Sequence, residues 1–279
     1  MNADYHIHTE FSDDSETPME AVVERAIQIG LDEICFTDHV DYGVKANWKD
    51  SGEILWIQAI NQRNVSYSAY FDKIGALEAR YGDRIKLRRG LEFGAQKGTT
   101  TQYDALFEKY RALFDFVLLS VHEIDDLEFW NQDFQRGKEQ EEYNLRYYQE
   151  LLAIVENFKN YSVLAHLDLL SRYDQSGVYP FAKVRELVAA ILQQAIRDDK
   201  GLELNTSSWR YELEDTSPSR AILRLYRDLG GRILTLGSDA HKPSQLAERF
   251  EDARAILRDE LGFKEFCTFN KMTPCFHQL

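Results

Sequence analysis

The sequence predicts an α/β protein, a (β/α) barrel whose strands run parallel. Three observations predict it. Strand-like and helix-like segments alternate from one end of the 279-residue chain to the other. About seven such units fit a barrel of this length. Six of the seven histidines fall on or just past the ends of strands. Repeated β-then-α units with right-handed crossovers place helices outside a parallel sheet. An open doubly wound sheet is the alternative arrangement.

The elements follow in order. "ADYHIH" (3–8) reads as a strand. "TPMEAVVERAIQIG" (17–30) reads as a helix: Thr17 is its N-cap, Pro18 takes the first helical position, Glu20 completes a capping box and Gly30 stops it. "DEICFTDH" (32–39) is the second strand, followed by a polar loop and an amphipathic stretch from about Ile54 to Tyr81. "RIKLRRGLEFG" (84–94) is the third strand, "YDALFEKYRALF" (103–114) a helix and "FDFVLLSVH" (114–122) the fourth strand. Residues 123–137 form a loop rich in acids and aromatics, and 139–160 are helical. "YSVLAH" (161–166) is the fifth strand, "FAKVRELVAAILQQAIRDD" (181–199) a helix and "KGLELN" (200–205) the sixth strand. Ser217 and Pro218 open a helix that Gly230 and Gly231 close. "RILTLGSDAH" (232–241) is the seventh strand, before a last helix and a short apolar tail. No repeat, low-complexity tract or linker divides the chain, so residues 1–279 are expected to form a single domain.

Composition narrows the function classes. Hydrophobic residues make up 44% and charged residues 29%, ordinary for a globular protein. No apolar run is long enough to cross a bilayer, and no basic-then-apolar leader is apparent. Cys35, Cys267 and Cys275 show no C-x-x-C spacing, which points to a reducing, cytoplasmic setting. The formal net charge of −14 repels a nucleic-acid backbone, and "KLRRG" (86–90) is a strand rather than a basic patch. The expected partner is therefore a small molecule, with neither nucleic acid nor membrane.

The chemistry lies at the strand ends. On a strand, residues two apart point the same way, so His6 and His8 project together. His39 ends the second strand, His122 the fourth and His166 the fifth, and His241 follows the seventh. Glu92 ends the third strand and Asp239 the seventh. Each has an ordinary explanation taken singly: a helix cap, a hydrogen-bonded core histidine, a solvated loop acid. Together they meet on the rim where parallel α/β folds build their sites. Nitrogen and carboxylate donors without cysteine suit Zn, Mn or Fe. So many donors exceed the needs of one ion, so two or three ions sharing a carboxylate are expected. Such clusters hydrolyse phosphate esters. Arg172 and Arg210 follow rim strands, and guanidinium matches phosphate geometry. Asp125, Asp126, Glu128 and Trp130 of the 123–137 loop are candidates to meet a cationic or aromatic part of the substrate.

H-x-H at the start, T-D-H after the second strand, Glu after the third, single His after the fourth and fifth, and G-x-D-x-H after the seventh together resemble the polymerase-and-histidinol-phosphatase (PHP) superfamily of metal-dependent phosphoesterases. The resemblance spans about the whole chain and implies a distorted (β/α)7, TIM-like barrel. It is nearest to the branch that hydrolyses L-histidinol phosphate in histidine biosynthesis, through "HTEFSDDS", "FTDH", "LNTSSWR" and "SRAILRLYRDLGGRILTLGSDAHKP". It implies one ion on His6, His8, Glu92 and Asp239, a second on Glu92, His122 and His166, and a third on His39, His241 and Asp14. Many relatives carry a histidine at the position of Asp14. Asp239, Glu92 and His241 are the implied catalytic groups, Arg172 and Arg210 the substrate-binding ones. The rival readings are a related phosphoesterase for another small ester, an amidohydrolase-like metal hydrolase, and a module of a DNA polymerase. Glu92 and the D-A-H of the seventh strand argue against the amidohydrolase, and the acidic charge against the polymerase module.

Overall fold

The structure is a computed structural model that describes residues 1–47 and 62–279. Strands and helices alternate as expected: β1 (Ala3–Asp4), α1 (Met19–Gln28), β2 (Glu33–Phe36), β3 (His39–Val40), α2 (Tyr67–Tyr81), β4 (Lys86–Arg89), β5 (Glu92–Gly94), α3 (Thr100–Tyr110) and β6 (Leu118–Ser120). A small hairpin, β7 (Glu123–Ile124) and β8 (Leu127–Glu128), precedes α4 (Gln140–Asn157) and β9 (Val163–Leu164). Then come α5 (Leu170–Tyr173), α6 (Phe181–Arg197), β10 (Gly201–Asn205), α7 (Arg220–Asp228), β11 (Leu234–Gly237) and α8 (Phe250–Ala255), before a terminal hairpin of β12 (Glu265–Asn270) and β13 (Thr273–Gln278).

The parallel strands close a nearly complete ring. β1 pairs with β2, and β2 with β4. The chain then steps inward: β3 pairs with β5, β5 with β6, β6 with β9, β9 with β10 and β10 with β11. A bridge between Ile7 and Ala240 joins the last strand to the first. The buried Asp4 carboxylate reinforces that seam by accepting from Ser238 N (3.0 Å), Ser238 Oγ (2.5 Å) and Ala247 N (2.9 Å). The result is the seven-strand barrel the motifs imply, with helices outside.

Each helix is held by the apolar stripe that its period dictates. In α1, Met19, Val22, Val23 and Ala26 are buried at spacings of three and four. In α6 the stripe is Val184, Val188, Ile191, Leu192 and Ala195. Burying each large aliphatic side chain contributes about 1.5–3 kcal/mol.

Four local expectations are revised. Helix α1 begins at Met19 without a capping box: the Thr17 hydroxyl donates to the His241 carbonyl (2.8 Å), and Glu20 accepts from Arg80 and Tyr81. The described part of the predicted 54–81 stretch forms α2, while its first residues lie outside the described residues. The third strand divides into β4 and β5, which serve different neighbours. The apolar tail is a hairpin under the barrel floor, where Phe269 N donates to Tyr5 Oη (2.7 Å) and the Tyr5 and Phe116 rings meet edge to face at 4.9 Å. All three cysteines are free thiols.

Candidate metal centre

The barrel delivers six histidines and three acids to one rim because they lie in or just past the C-terminal halves of its parallel strands, or, for Asp14, in a loop that returns to that rim. His6 and His8 follow β1, and their rings lie 5.0 Å apart. His39 opens β3 and Glu92 opens β5, directly opposite each other in register. His122, His166, Asp239 and His241 follow β6, β9 and β11, while Asp14 enters from the loop after β1. His166 (φ 23°) and Asp239 (φ 54°) sit in left-handed backbone, at a cost of roughly 1–3 kcal/mol each that the packed rim sustains.

Glu92 is the focus. Its Oε1 lies 2.9 Å from His166 Nε2, 3.1 Å from His122 Nε2 and 2.5 Å from Ser120 Oγ. Its Oε2 lies 3.0 Å from His6 Nε2, 3.3 Å from His8 Nε2 and 3.2 Å from His39 Nδ1. One carboxylate thus faces five imidazoles, divided between its two oxygens. Asp239 Oδ1 is 3.4 Å from His8 Nε2 and 3.7 Å from His241 Nδ1. Asp14 Oδ2 is 2.9 Å from His241 Nε2 and 3.4 Å from His39 Nε2.

These atoms converge into sets spaced for a cation: His6, His8 and Glu92; His6, His166 and Asp239; Glu92, His122 and His166; His39, Asp41 and His122; and His8, Asp14, His39 and His241. The last set adds His8 to the expected third group. The donors fit a divalent metal on chemistry as well as spacing. His8 Nε2 and His39 Nδ1 are buried without a hydrogen-bond partner, which is costly for a polar atom unless something else takes its lone pair. The electrostatics agree. Burial opposes the charge on Glu92, yet His6, His39 and His122 hold its carboxyl well below the usual range. Asp239 is lowered likewise by His6, His8 and Arg172 against its burial. Burial, with His39 and His241 nearby, pushes the His8 imidazole down to about 3, so it is a neutral donor. Burial works against charge on His241, but Asp14 and Asp239 raise it to about 9.

Over this cluster lies a cavity of about 480 Å³, walled by the ligands and by Lys45, Glu123, Glu128, Trp130, Arg172, Tyr173 and Tyr211. Arg172 is nearly buried; it donates to Ser207 Oγ (2.5 Å) and Asp239 Oδ2 (3.2 Å) and lies over the Tyr211 ring at 4.2 Å. Arg210 instead donates to the carbonyls of Ser238 (2.6 Å) and Asp239 (2.7 Å) and pairs with Glu248 (2.9 Å). The 123–137 loop divides. Glu128 and Trp130 reach the cavity, whereas Asp125 pairs with Arg146 (3.3 Å) and Asp126 accepts from Gln96 (2.8 Å).

Sequence reasoning passed over Asp41, Lys45, Glu123 and Glu203. The signal for Glu203 is a lone acid in the apolar strand "GLELN": a strand covered on both faces tolerates a charge only when it is paired. Glu123 is buried with Oε1 unpartnered and lines the cavity.

Comparisons with known proteins place this arrangement. The histidinol-phosphatase of Lactococcus lactis is 33% identical over 275 residues, 96% of this chain and 94% of the relative. A probable histidinol-phosphatase of Deinococcus radiodurans is 28% identical across 97% of this chain and 98% of its own. The crystal structure of histidinol phosphate phosphatase from Lactococcus lactis, complexed with zinc, L-histidinol and phosphate, superposes with a TM-score of 0.83 at 32% identity, covering 98% of both chains. A putative histidinol phosphatase from Listeria monocytogenes shares the fold at a TM-score of 0.76 and 20% identity, covering 90% of this chain and 99% of its own. The PHP domain profile matches residues 4–207, a span that holds His6 to His166 and ends before the strand carrying Asp239 and His241. With that match over most of its length and the Lactococcus relative above it, the chain belongs to the PHP domain family.

Proposed function

We propose that this chain is a metal-dependent phosphomonoesterase that hydrolyses L-histidinol phosphate to L-histidinol and phosphate, a cytoplasmic enzyme formed as one catalytic domain over residues 1–279. The observation that carries the reading is Glu92, facing five imidazoles beneath a cavity that also holds Arg172. The relatives named histidinol-phosphatase, and the zinc, L-histidinol and phosphate of the Lactococcus structure, support the same reading. No helix among the described residues is long and apolar enough to cross a membrane.

Two or three ions, with Zn, Mn and Fe all suited to these donors, would be held as the motifs imply, and such ions lower the pKa of bound water and offset charge on phosphoryl oxygens. The chain's own groups do the rest. Arg172, on the cavity wall, holds the phosphoryl oxygens by charge-assisted hydrogen bonds, and Arg210, which does not line the cavity, assists with the N–H groups that Ser238, Asp239 and Glu248 leave free. Asp239, held ionised, and His241, both on the cavity wall, are placed to relay a proton from the attacking water to the departing alkoxide oxygen. Glu128 offers a carboxylate to the substrate's ammonium, Glu123 lies beside it with its carboxyl pushed well above the usual range by burial and the Asp41 charge, and Trp130, 58% exposed at the rim, offers its face to the imidazole.

The expected preference is roughly a hundredfold for histidinol phosphate over p-nitrophenyl phosphate, because a site built for polar partners penalises a substrate that lacks them. Competition between the two esters measures it. Equal efficiency would leave a phosphoesterase but remove histidinol phosphate as its substrate. Asp14→Ala is expected to cost about one metal equivalent by elemental analysis while the ions beside Glu92 stay, since among the described residues Asp14 pairs with His39 and His241 and not with Glu92. Loss of every ion would place Asp14 at the heart of the cluster instead.

A further inference from the structure

Two of the cluster's imidazoles are held from behind by carboxylates outside the ligand sets that the motifs imply, although Asp41 is also spaced to join His39 and His122 about a cation. Asp41 Oδ1 lies 2.8 Å from His122 Nδ1, and Glu203 Oε1 lies 2.7 Å from His6 Nδ1. Asn205 Nδ2 also approaches His6 Nδ1, but at 3.3 Å. In both rings Nε2 then faces Glu92. A carboxylate at Nδ1 keeps the proton there, fixes the ring plane and leaves the Nε2 lone pair to bind.

Each carboxylate is anchored through its other oxygen. Asp41 Oδ2 pairs with Lys45 Nζ at 2.7 Å, and that ammonium also reaches Asp13 at 2.7 Å. Glu203 Oε2 accepts from the His166 backbone N–H at 2.9 Å. With Lys45 on it, Oδ2 of Asp41 is occupied, which argues for support rather than ligation.

Room for each carboxylate comes from a glycine. A Cβ on Gly94 would fall 1.7 Å from Asp41 Oδ1 and 2.6 Å from His122 Nδ1. A Cβ on Gly237 would fall 2.0 Å from Glu203 Oε1 and 2.5 Å from His6 Cβ. Neither glycine has left-handed backbone, so the requirement is space and not conformation. The same device occurs twice, on different arcs of the barrel.

We infer that Asp41 with Gly94, and Glu203 with Gly237, are positioning pairs that set the metal affinity of His122 and His6. This rests on the metal-binding reading of the site. The test is metal retention after dialysis against a competing chelator, read by elemental analysis, with ¹⁵N spectra of the histidine rings in zinc-loaded protein reporting the tautomers. Asp41→Asn, Gly94→Ala, Glu203→Gln and Gly237→Ala are each expected to weaken one ion roughly ten- to a hundredfold, and to shift the tautomer signals of His122 or His6 alone. Gly94 and Asp41 act through one ring. Adding Gly94→Ala to Asp41→Ala should therefore cost less than about threefold more, whereas independent losses would multiply. Multiplying losses, or wild-type retention and unaltered ring signals in Asp41→Asn and Glu203→Gln, would overturn the inference. If an alanine variant fails to fold, as judged by circular dichroism of the metal-free protein, those two isosteric variants decide alone. Wild-type protein that takes up no ion would instead bring down the metal-binding reading, and this inference with it.

Discussion

Glu92→Gln is expected to lower phosphatase turnover by at least about a thousandfold and to strip the protein of metal. The amide is the same size as the carboxylate but is neutral, and one of its two ends is a donor. Oε1 and Oε2 serve separate groups of imidazoles, so either orientation of the amide aims an N–H at one of them. The buried rings also lose the charge that balances them. Metal-derived stabilisation of the transition state amounts to several kcal/mol, and three powers of ten correspond to about 4 kcal/mol. Steady-state kinetics beside elemental analysis test it. A variant within tenfold of wild type, with its ions in place, would remove Glu92 from the centre of the chemistry.

Arg172→Ala is expected to reduce kcat/KM by roughly ten- to a hundredfold with the metal content intact, which corresponds to one charge-assisted contact of about 1.5–3 kcal/mol. The side chain is already organised: Ser207, Asp239 and the Tyr211 face hold the guanidinium at the cavity wall, so little rotamer entropy remains to be lost when phosphate arrives. Arg210→Ala should also slow turnover, by a smaller factor, because much of that guanidinium is spent on the carbonyls of Ser238 and Asp239. Kinetics on both variants decide. Wild-type efficiency in either one would take that arginine out of the site, and a larger loss for Arg210 would reverse their order.

What the sequence disclosed about this site follows a physical rule. Ligands at strand ends are visible because the parallel barrel turns chain position into spatial position: reading His39, Glu92, His122 and His166 at the ends of apolar runs is enough to put them on one rim, although His39 and Glu92 open the short strands β3 and β5. Distances across the barrel are not encoded that way. Asp41 lies two residues past a recognised histidine and Glu203 in mid-strand, and nothing local says that their partners are His122 and His6, 81 and 197 residues away. The helix start at Thr17 misled for a similar reason. Local capping chemistry is present, but the helix starts at Met19 with Pro18 at its cap position, one residue beyond the place the Thr17 hydroxyl would cap, and that hydroxyl donates to the His241 carbonyl instead. In the 123–137 loop, composition picked out the acids, but only the hairpin of β7 and β8 sorts those at its turn from those at the cavity.

The seam between Ile7 and Ala240 governs when the protein can acquire its ions. A ribosome releases the chain from the N-terminus, so His6 and His8 emerge early and wait for Asp239 and His241, which appear near the end. Until then the first strand has no neighbour on its far side, and the pooled carboxylates and imidazoles exist only in pieces. Assembly of the full ligand set therefore waits for the seventh strand, after the longest-range contacts have closed. Contacts so distant in sequence are slow to form. A truncation that stops before residue 238 should yield a chain that binds metal poorly even if every earlier histidine is present.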